Sequence, residues 1–410
     1  MIGIAILGYG VVGSGVAEVC QMNQAVISQR AGQALEVRHI LDIRTFPGDP
    51  FVDKITNDKD KIMHDPLVSV VVETIGGVKI AYELTKQALR SGKHVVTSNK
   101  ELVATHGPEL MRLAAEHEVS YLFEASVGGG IPIVRPLHKC LAANVITSIT
   151  GVLNGTTNYV MTRMGSSEID FDEALSEAKA KGYAEQDPTA DIEGHDACRK
   201  IAILGSITLG QFIDSQQIYC EGISKIRVAD MRYAADLNCK IKLLGQLKMN
   251  SEGKAEIIVA PMLVPGQHPL AMADDVFNAI MVEGNALGEA MFYGRGAGKM
   301  PTASAVVADV IECMMHLDRL PHMAPWTIPD QPIVKDHETC YVRALLRLDA
   351  SVSKDELEKA FIGKGLRDLK SHDVREQVVI TGDAGTLTEK ELAVFIDRHA
   401  AKVISVIRFF

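Results

Sequence analysis

Residues 3–13 read Gly3-Ile4-Ala5-Ile6-Leu7-Gly8-Tyr9-Gly10-Val11-Val12-Gly13, and the rest of the chain is read from them. Gly3–Leu7 is a short apolar run of strand length, and Val11–Arg30 has the length and apolar spacing of a helix. Between them stands G-x-G-x-x-G. In that setting each glycine has a task. Gly8 permits a tight turn, Gly10 lets backbone N–H groups approach a pyrophosphate, and Gly13 lets helix and strand pack closely. The helix start adds favourable partial charge for a phosphate. Gly8, Tyr9, Gly10, Val11, Val12 and Gly13 therefore form a candidate dinucleotide site rather than an idle glycine turn.

Working outward, strand signals recur at Leu35–Leu41, Val68–Glu73 and Lys93–Thr97, separated by helix signals at Ala81–Ser91 and Pro108–His117. Strands rich in Val and Ile between helices of this length imply right-handed βαβ units and a parallel sheet. The expectation is an α/β fold, a Rossmann-type doubly wound sheet over residues 1–125, completed by residues 300–320. Asp42 follows the second strand and Arg44 comes just after it. An acid there binds the ribose 2′-hydroxyl of NAD, and an arginine holds the 2′-phosphate of NADP. Both residues are present, so NAD and NADP both stay open.

Near Glu124 the texture changes. Ser126–Pro132 (SVGGGIP) is a glycine-rich connection into a second, α+β domain over residues 126–320. Its strand signals are Val145–Leu153 and Ala255–Val264. Its helix signals are Phe171–Lys181, His195–Gly210 and Ser304 to about Leu317, the last preceded by the Gly294–Gly298 turn. The proline-bearing stretch 321–337 reads as a linker. Residues 338–410 then give strand Cys340–Leu348, helix Lys354–Ile362, a hairpin of Asp368–His372 with Gln377–Thr381, helix Glu389–Arg398 and strand Ala401–Phe410. That βαββαβ order is ferredoxin-like. The last strand is apolar and suits edge pairing between subunits.

Composition narrows the function. The chain has 410 residues, 47% hydrophobic and 23% charged, with a net charge of -10. A duplex binder carries a basic face, and no Lys/Arg cluster occurs here, so no nucleic-acid partner is expected. The seven cysteines are widely spaced without a C-x-x-C, which fits neither a disulfide framework nor a zinc site and suits a reducing cytoplasm. No apolar run reaches the roughly 18 residues of a membrane span. The opening residues lack a basic n-region and a cleavage site. The 13 histidines include no H-E-x-x-H, so no transition-metal catalytic site is expected.

A nicotinamide cofactor implies hydride exchange with a carbonyl, which also needs a proton donor. Lysine serves once burial or neighbours lower its pKa. Lys100 lies in Thr97-Ser98-Asn99-Lys100-Glu101, past the carboxyl end of a parallel strand, where open α/β sheets hold ligands. Lys200 follows Glu185, Asp187, Asp191 and Asp196 and shares a helix face with Asp196 four residues earlier. Such a cluster of carboxylates before the first arginine suits a cationic group such as a substrate ammonium. The plainer reading is an exposed acidic loop with one ion pair.

Five segments together resemble homoserine dehydrogenases: Gly8–Gly13; Ser98–Ala104 (SNKELVA); Phe123–Pro132 (FEASVGGGIP) with Gly151–Asn158 (GVLNGTTN); Gly182–Lys200; and Met291–Thr302 (MFYGRGAGKMPT). The resemblance spans residues 1 to 318. It implies NAD(P)-dependent interconversion of aspartate 4-semialdehyde and homoserine. On that resemblance Lys200 donates the proton, and Lys100 contacts cofactor and substrate and shares the role. Glu185, Asp196 and Asp191 bind the substrate's polar end, while Gly182 and Gly298 line the nicotinamide pocket. It further implies a Na⁺ or K⁺ site made by Glu124 and the carbonyls of Val127, Gly129 and Ile131, and a homodimer or homotetramer. The tail resembles an ACT domain, a regulatory module. The D-x-P-G often found in amino-acid-binding ACT domains is replaced by Asp349-Ala350-Ser351-Val352-Ser353, so an amino-acid effector and a purely assembling role both stand. Two further readings compete: another Rossmann semialdehyde dehydrogenase, which needs a nucleophilic cysteine at a helix start, and a nucleotide-sensing protein without turnover.

Overall fold

Strand β1 (Ile2–Leu7) is buried along its whole length and lies parallel to β2 (Leu35–Leu41) on one side and β4 (Val68–Glu73) on the other. The computed structural model describes residues 1–317 and 323–410; the start of the predicted linker lies outside the described residues. With β3 (Ile55–Thr56), β5 (His94–Thr97) and β6 (Tyr121–Leu122), the parallel sheet has the order β3-β2-β1-β4-β5-β6. The order reverses between β1 and β4, and doubly wound sheets bind ligands beside the carboxyl ends of the strands at such a point. The helices are α1 (Val11–Met22), α2 (Gln24–Ala31), α3 (Lys59–Met63), α4 (Lys79–Arg90) and α5 (Lys100–Glu116).

Two helices differ from the sequence reading. Val11–Arg30 is broken at Asn23, whose backbone leaves helical geometry and caps α1. Helix α5 starts at Lys100, well before Pro108. The Asn99 side chain caps it by accepting the Leu102 N–H at 3.1 Å, and Pro108 is carried inside the helix. Sequence reading gave the proline too much weight as a helix start.

Chain order continues with β7 (Ile146–Val152), α6 (Gly155–Ser167), α7 (Phe171–Ala180), α8 (Thr189–Ile192), α9 (His195–Leu209), β8 (Tyr219–Cys220), α10 (Val228–Asp236), β9 (Cys239–Met249), β10 (Ala255–Pro265), β11 (Phe277–Gly284), β12 (Gly288–Arg295) and α11 (Lys299–Met315). The tail adds β13 (Ala344–Asp349), α12 (Lys354–Ala360), β14 (Arg367–Leu369), β15 (Glu376–Thr381), α13 (Glu389–Arg398) and β16 (Val403–Phe409). These elements fall into two compact units. The first is Met1–Ile146, Ala202–Ser215 and Glu283–Asp330; the second is Thr147–Ile201, Gln216–Val282 and Gln331–Phe410. In the first, α11 lies against α1 so closely that a Cβ on Gly15 would stand 2.9 Å from the Lys299 carbonyl oxygen.

In the second unit the strands run β11-β7-β9-β10-β16-β13-β15-β14, with β8 beside β10. The tail has the predicted βαββαβ order and its own core around Leu346, Leu357, Phe361 and Phe395. Strand β16 is interior rather than an exposed edge. It pairs antiparallel with β13 and parallel with β10 through Met262↔Arg408 and Leu263↔Phe409. Its apolar character, read as an invitation to another subunit, is spent within the chain. The predicted linker is also packed where described. Trp326 is buried against Gly107 and Phe123, and Ile333 and Lys335 hydrogen-bond to the backbone of Ala255. Proline prevents regular structure but not packing.

Candidate active site

The glycine turn of the first unit carries the geometry its sequence implied. Gly8 has φ +90°. A Cβ on Gly13 would meet the Gly8 carbonyl oxygen at 1.9 Å, so only glycine fits there. At Gly10 no heavy atom lies within 4 Å of a Cβ position, which leaves the backbone open to a ligand, as a pyrophosphate cradle requires. Thr74, past the end of β4, donates its hydroxyl to the carbonyls of Leu7 (3.0 Å) and Gly8 (2.8 Å) and so braces the turn. Tyr9 is buried and Val11 exposed.

Asp42 stands where a ribose-binding acid belongs, and it is already engaged. It accepts the Tyr9 N–H at 2.8 Å, and Arg44 donates to both its oxygens at 3.0 and 2.8 Å. Those Arg44 hydrogen bonds hold its carboxyl well below the ordinary range against the opposing effect of burial. The Arg44 guanidinium is largely exposed and lies 5.1 Å from the Phe46 ring centroid. Neighbouring loops in this unit place Lys100, half-buried, as the first residue of α5.

Two glycine-rich motifs meet in the same unit. The Gly128–Gly130 turn packs on Gly296–Pro301: Gly129 has φ +57°, and a Cβ there would lie 2.4 Å from the Gly296 carbonyl oxygen. Gly298 has φ +121° and caps α11. The Glu124 side chain is buried. One carboxylate oxygen accepts the N–H groups of Ile133 (2.6 Å) and Val134 (2.8 Å), and the other that of Arg135 (2.7 Å). Val127, Gly129 and Ile131 are buried beside it in sequence.

The second unit holds the lysine. Lys200 is 7% exposed and Asp196 1%. The Lys200 Nζ lies 2.7 Å from an Asp196 carboxylate oxygen and donates to the Leu153 carbonyl, also at 2.7 Å. Asn154 completes the cluster. Its Oδ1 caps α6 by accepting the Thr157 N–H, while its Nδ2 donates to Asp191 and to Asp196, each at 2.7 Å. The arrangement is a buried ammonium held by a carboxylate and a carbonyl, with an amide donating to that carboxylate, not the exposed acidic loop of the plainer reading. Asp196, Asp191 and Lys200 are thus brought together. Glu185 and Gly182, the latter with φ +73°, stand exposed on the loop after α7 and take part in none of these hydrogen bonds. Asp187 is used locally, accepting from Thr189 at 2.6 Å. Sequence reasoning missed Asn154 as a site residue. Its signal was a cap-forming residue just past a strand, ahead of Gly155-Thr156-Thr157.

Cys198 lies in the first turn of α9. Its thiol is pushed well up, first by its hydrogen bond to Cys220 and then by burial, the opposite of an activated nucleophile. Among the described residues no helix is long and apolar enough to cross a membrane, and no group of three or more His, Cys, Asp or Glu could hold a metal ion.

Comparison with known proteins identifies the family. Residues 8–124 match the family model for the homoserine dehydrogenase NAD-binding domain, and residues 132–311 match the homoserine dehydrogenase model. The homoserine dehydrogenase of Pseudomonas aeruginosa is 41% identical over 85% of this chain and 81% of its own length. That of Synechocystis is 45% identical over 75% and 72%. The solved homoserine dehydrogenase of Thiobacillus denitrificans superposes with a TM-score of 0.91 at 34% identity, covering 100% of this chain and 98% of its own. A hyperthermophilic archaeal homoserine dehydrogenase, solved in complex with NADPH, superposes at 0.65 with 30% identity over 77% of this chain and 98% of its own. This chain belongs to the homoserine dehydrogenase family, NAD(P)-dependent oxidoreductases acting on a CH–OH group.

Proposed function

We propose that this chain interconverts L-aspartate 4-semialdehyde and L-homoserine, feeding threonine, methionine and isoleucine synthesis, with Lys200 as the proton donor. The observation that carries the assignment of Lys200 is its buried amine, fixed by Asp196 and the Leu153 carbonyl. The reduced nicotinamide cofactor, when bound, supplies a hydride to the aldehyde carbon. Lys200 then gives a proton to the oxygen as alkoxide character develops, and Asp196 keeps the amine oriented and compensated. Asp191, Asp196 and Glu185 take the substrate ammonium, and Lys100 contacts cofactor and substrate. The Gly8–Gly13 turn with Gly182 and Gly298 holds the cofactor. The decisive experiment follows NADPH and NADH consumption with aspartate semialdehyde in the wild type and Lys200→Ala. The variant loses turnover and keeps cofactor affinity; an active variant refutes the role.

The competing readings fare worse. The raised Cys198 thiol disfavours a phosphorylating semialdehyde dehydrogenase, and the Lys200 cluster disfavours a sensor without turnover. Of the two cofactors, Asp42 would meet a 2′-hydroxyl and Arg44 a 2′-phosphate. The ratio of kcat/KM for NADPH and NADH in Arg44→Ala reads which one counts. For a Na⁺ or K⁺ site, the three N–H groups on the Glu124 carboxylate leave the main role to the carbonyls of Val127, Gly129 and Ile131. Activity against KCl and NaCl, with a bulky ammonium salt as control, tests it. The seven free thiols suit a cytoplasmic enzyme. Light scattering distinguishes homodimer from homotetramer, and threonine titration distinguishes an effector-binding tail from an assembly module.

A further inference from the structure

We propose that Glu73 is a positioning residue for the cofactor end of the site: its buried carboxylate ties the loop after β4 to the loop after β5, and its ionised form is the one that holds them. This rests on the proposed activity for its kinetic readout alone.

Glu73 is the last residue of β4 and is fully buried. One carboxylate oxygen accepts the Ile75 N–H at 2.6 Å, and the other accepts the Thr97 hydroxyl at 2.5 Å. The network continues from there. Thr97 accepts the Asn99 N–H at 2.9 Å. The Asn99 amide returns to the first loop, donating to the carbonyls of Ile75 (3.2 Å) and Gly77 (2.7 Å), while its oxygen caps the helix that starts at Lys100. On the other side, Thr74 braces the carbonyls of Leu7 and Gly8. One carboxylate thus stands between the brace of the glycine turn and the start of the helix bearing Lys100.

Its protonation state decides the pattern of donors. Ionised, Glu73 accepts from two donors and Thr97 has one proton to give and one to receive. Protonated, Glu73 turns an acceptor into a donor facing Thr97, and the hydroxyl proton of that buried threonine loses its acceptor. An orphaned buried donor is costly. Burial pushes the Glu73 carboxyl up to about 7, against the lowering by Thr97 and Ile75. Tyr121 of β6 is the titratable neighbour. Burial and the Glu73 charge hold its phenol well above its ordinary range, so it stays neutral here. The better-ordered form therefore prevails above about pH 7 and is lost below it.

The test compares full-length wild type, Glu73→Gln, Thr97→Val and Thr97→Ser from pH 5.5 to 8.5. Two quantities are followed: kcat for homoserine oxidation, and NADPH affinity by fluorescence. Wild type shows an acid limb near pH 7 in both, with NADPH affinity falling roughly tenfold at the acid end. Glu73→Gln is flat at the low-pH level in both. Thr97→Val removes a bond that favours the ionised form, so its limb moves to higher pH; Thr97→Ser, which keeps the hydroxyl, moves it back. A wild-type limb that persists unmoved in Glu73→Gln, or in Thr97→Val should Glu73→Gln fail to fold, overturns the proposal. A chain without turnover sinks the enzymatic reading, and the NADPH titration still judges Glu73.

Discussion

Replacing Lys200 tests the proposed chemistry and its structural setting together. Lys200→Met deletes an ammonium that is 7% exposed and leaves the Asp196 carboxylate, 1% exposed, without that cation. Breaking a buried pair by removing one partner costs about 3–5 kcal/mol. For a folding unit of roughly 200 residues this lowers Tm by about 6–20 °C. Loss of a general acid costs an additional factor of roughly 10²–10⁴ in kcat. The two effects are separated by Lys200→Arg. A guanidinium keeps a positive charge beside Asp196, yet it holds its proton too tightly to serve as an acid. Calorimetry on Lys200→Arg therefore shows most of the stability retained, while stopped-flow and steady-state assays show kcat still down by about 10² or more. NADPH affinity, which the proposed function assigns to the Gly8–Gly13 turn, changes little in either variant. Lys200→Arg turning over within about fivefold of wild type would show that only the charge of Lys200 matters, and the proton-donor assignment would fall.

Other outcomes follow from the same structure. Gly10→Ala, whose Cβ meets no atom within 4 Å, keeps Tm and loses at least about tenfold in NAD(P)H affinity; Gly13→Ala, whose Cβ would sit 1.9 Å from the Gly8 oxygen, loses both. Thermal melts with cofactor titration distinguish them. Arg347→Met removes the partner of the fully buried Asp230 (2.7 Å) and of Glu376, and lowers the unfolding free energy by about 3–5 kcal/mol in urea; adding Asp230→Leu recovers much of it. For Glu389, burial raises the carboxyl, but the His337 ring 3.5 Å away and the hydrogen bonds and charge of Arg408 prevail and hold it at about 2. A depressed carboxyl contributes stability above its ordinary titration range, and that contribution is lost as the pH falls toward 2. Glu389→Gln therefore flattens the acid side of the stability profile, by roughly 3 kcal/mol between neutral pH and pH 2.

Local pattern made part of this legible. β2, β4 and α13 match the expected ranges to the residue, and β14 pairs with β15 as expected, although β14 lies at Arg367–Leu369 rather than Asp368–His372. β9, β11, β12, α6 and α10 were passed over. β9 carries three lysines, one of them, Lys242, buried by its bonds to Asn158, Ala273 and Asp274, and only those partners make it a strand interior. α6 opens on Gly155-Thr156-Thr157, weak helix formers rescued by the Asn154 cap. Glu73 read as the end of an apolar strand; nothing nearby in sequence announces Thr97 as its partner.

The sequence alone determined the glycine turn, the parallel βαβ order and the nearness of Asp196 to Lys200, because each depends on residues a few positions apart and on backbone rules that act locally. Tertiary structure decided what long-range packing controls. It placed Asn154 among the acids of two distant helices, buried Lys200, made β16 an interior strand and packed the proline stretch. Burial and partner choice are set by which surfaces meet, and apolar or charged residues carry no mark of the neighbour they will find.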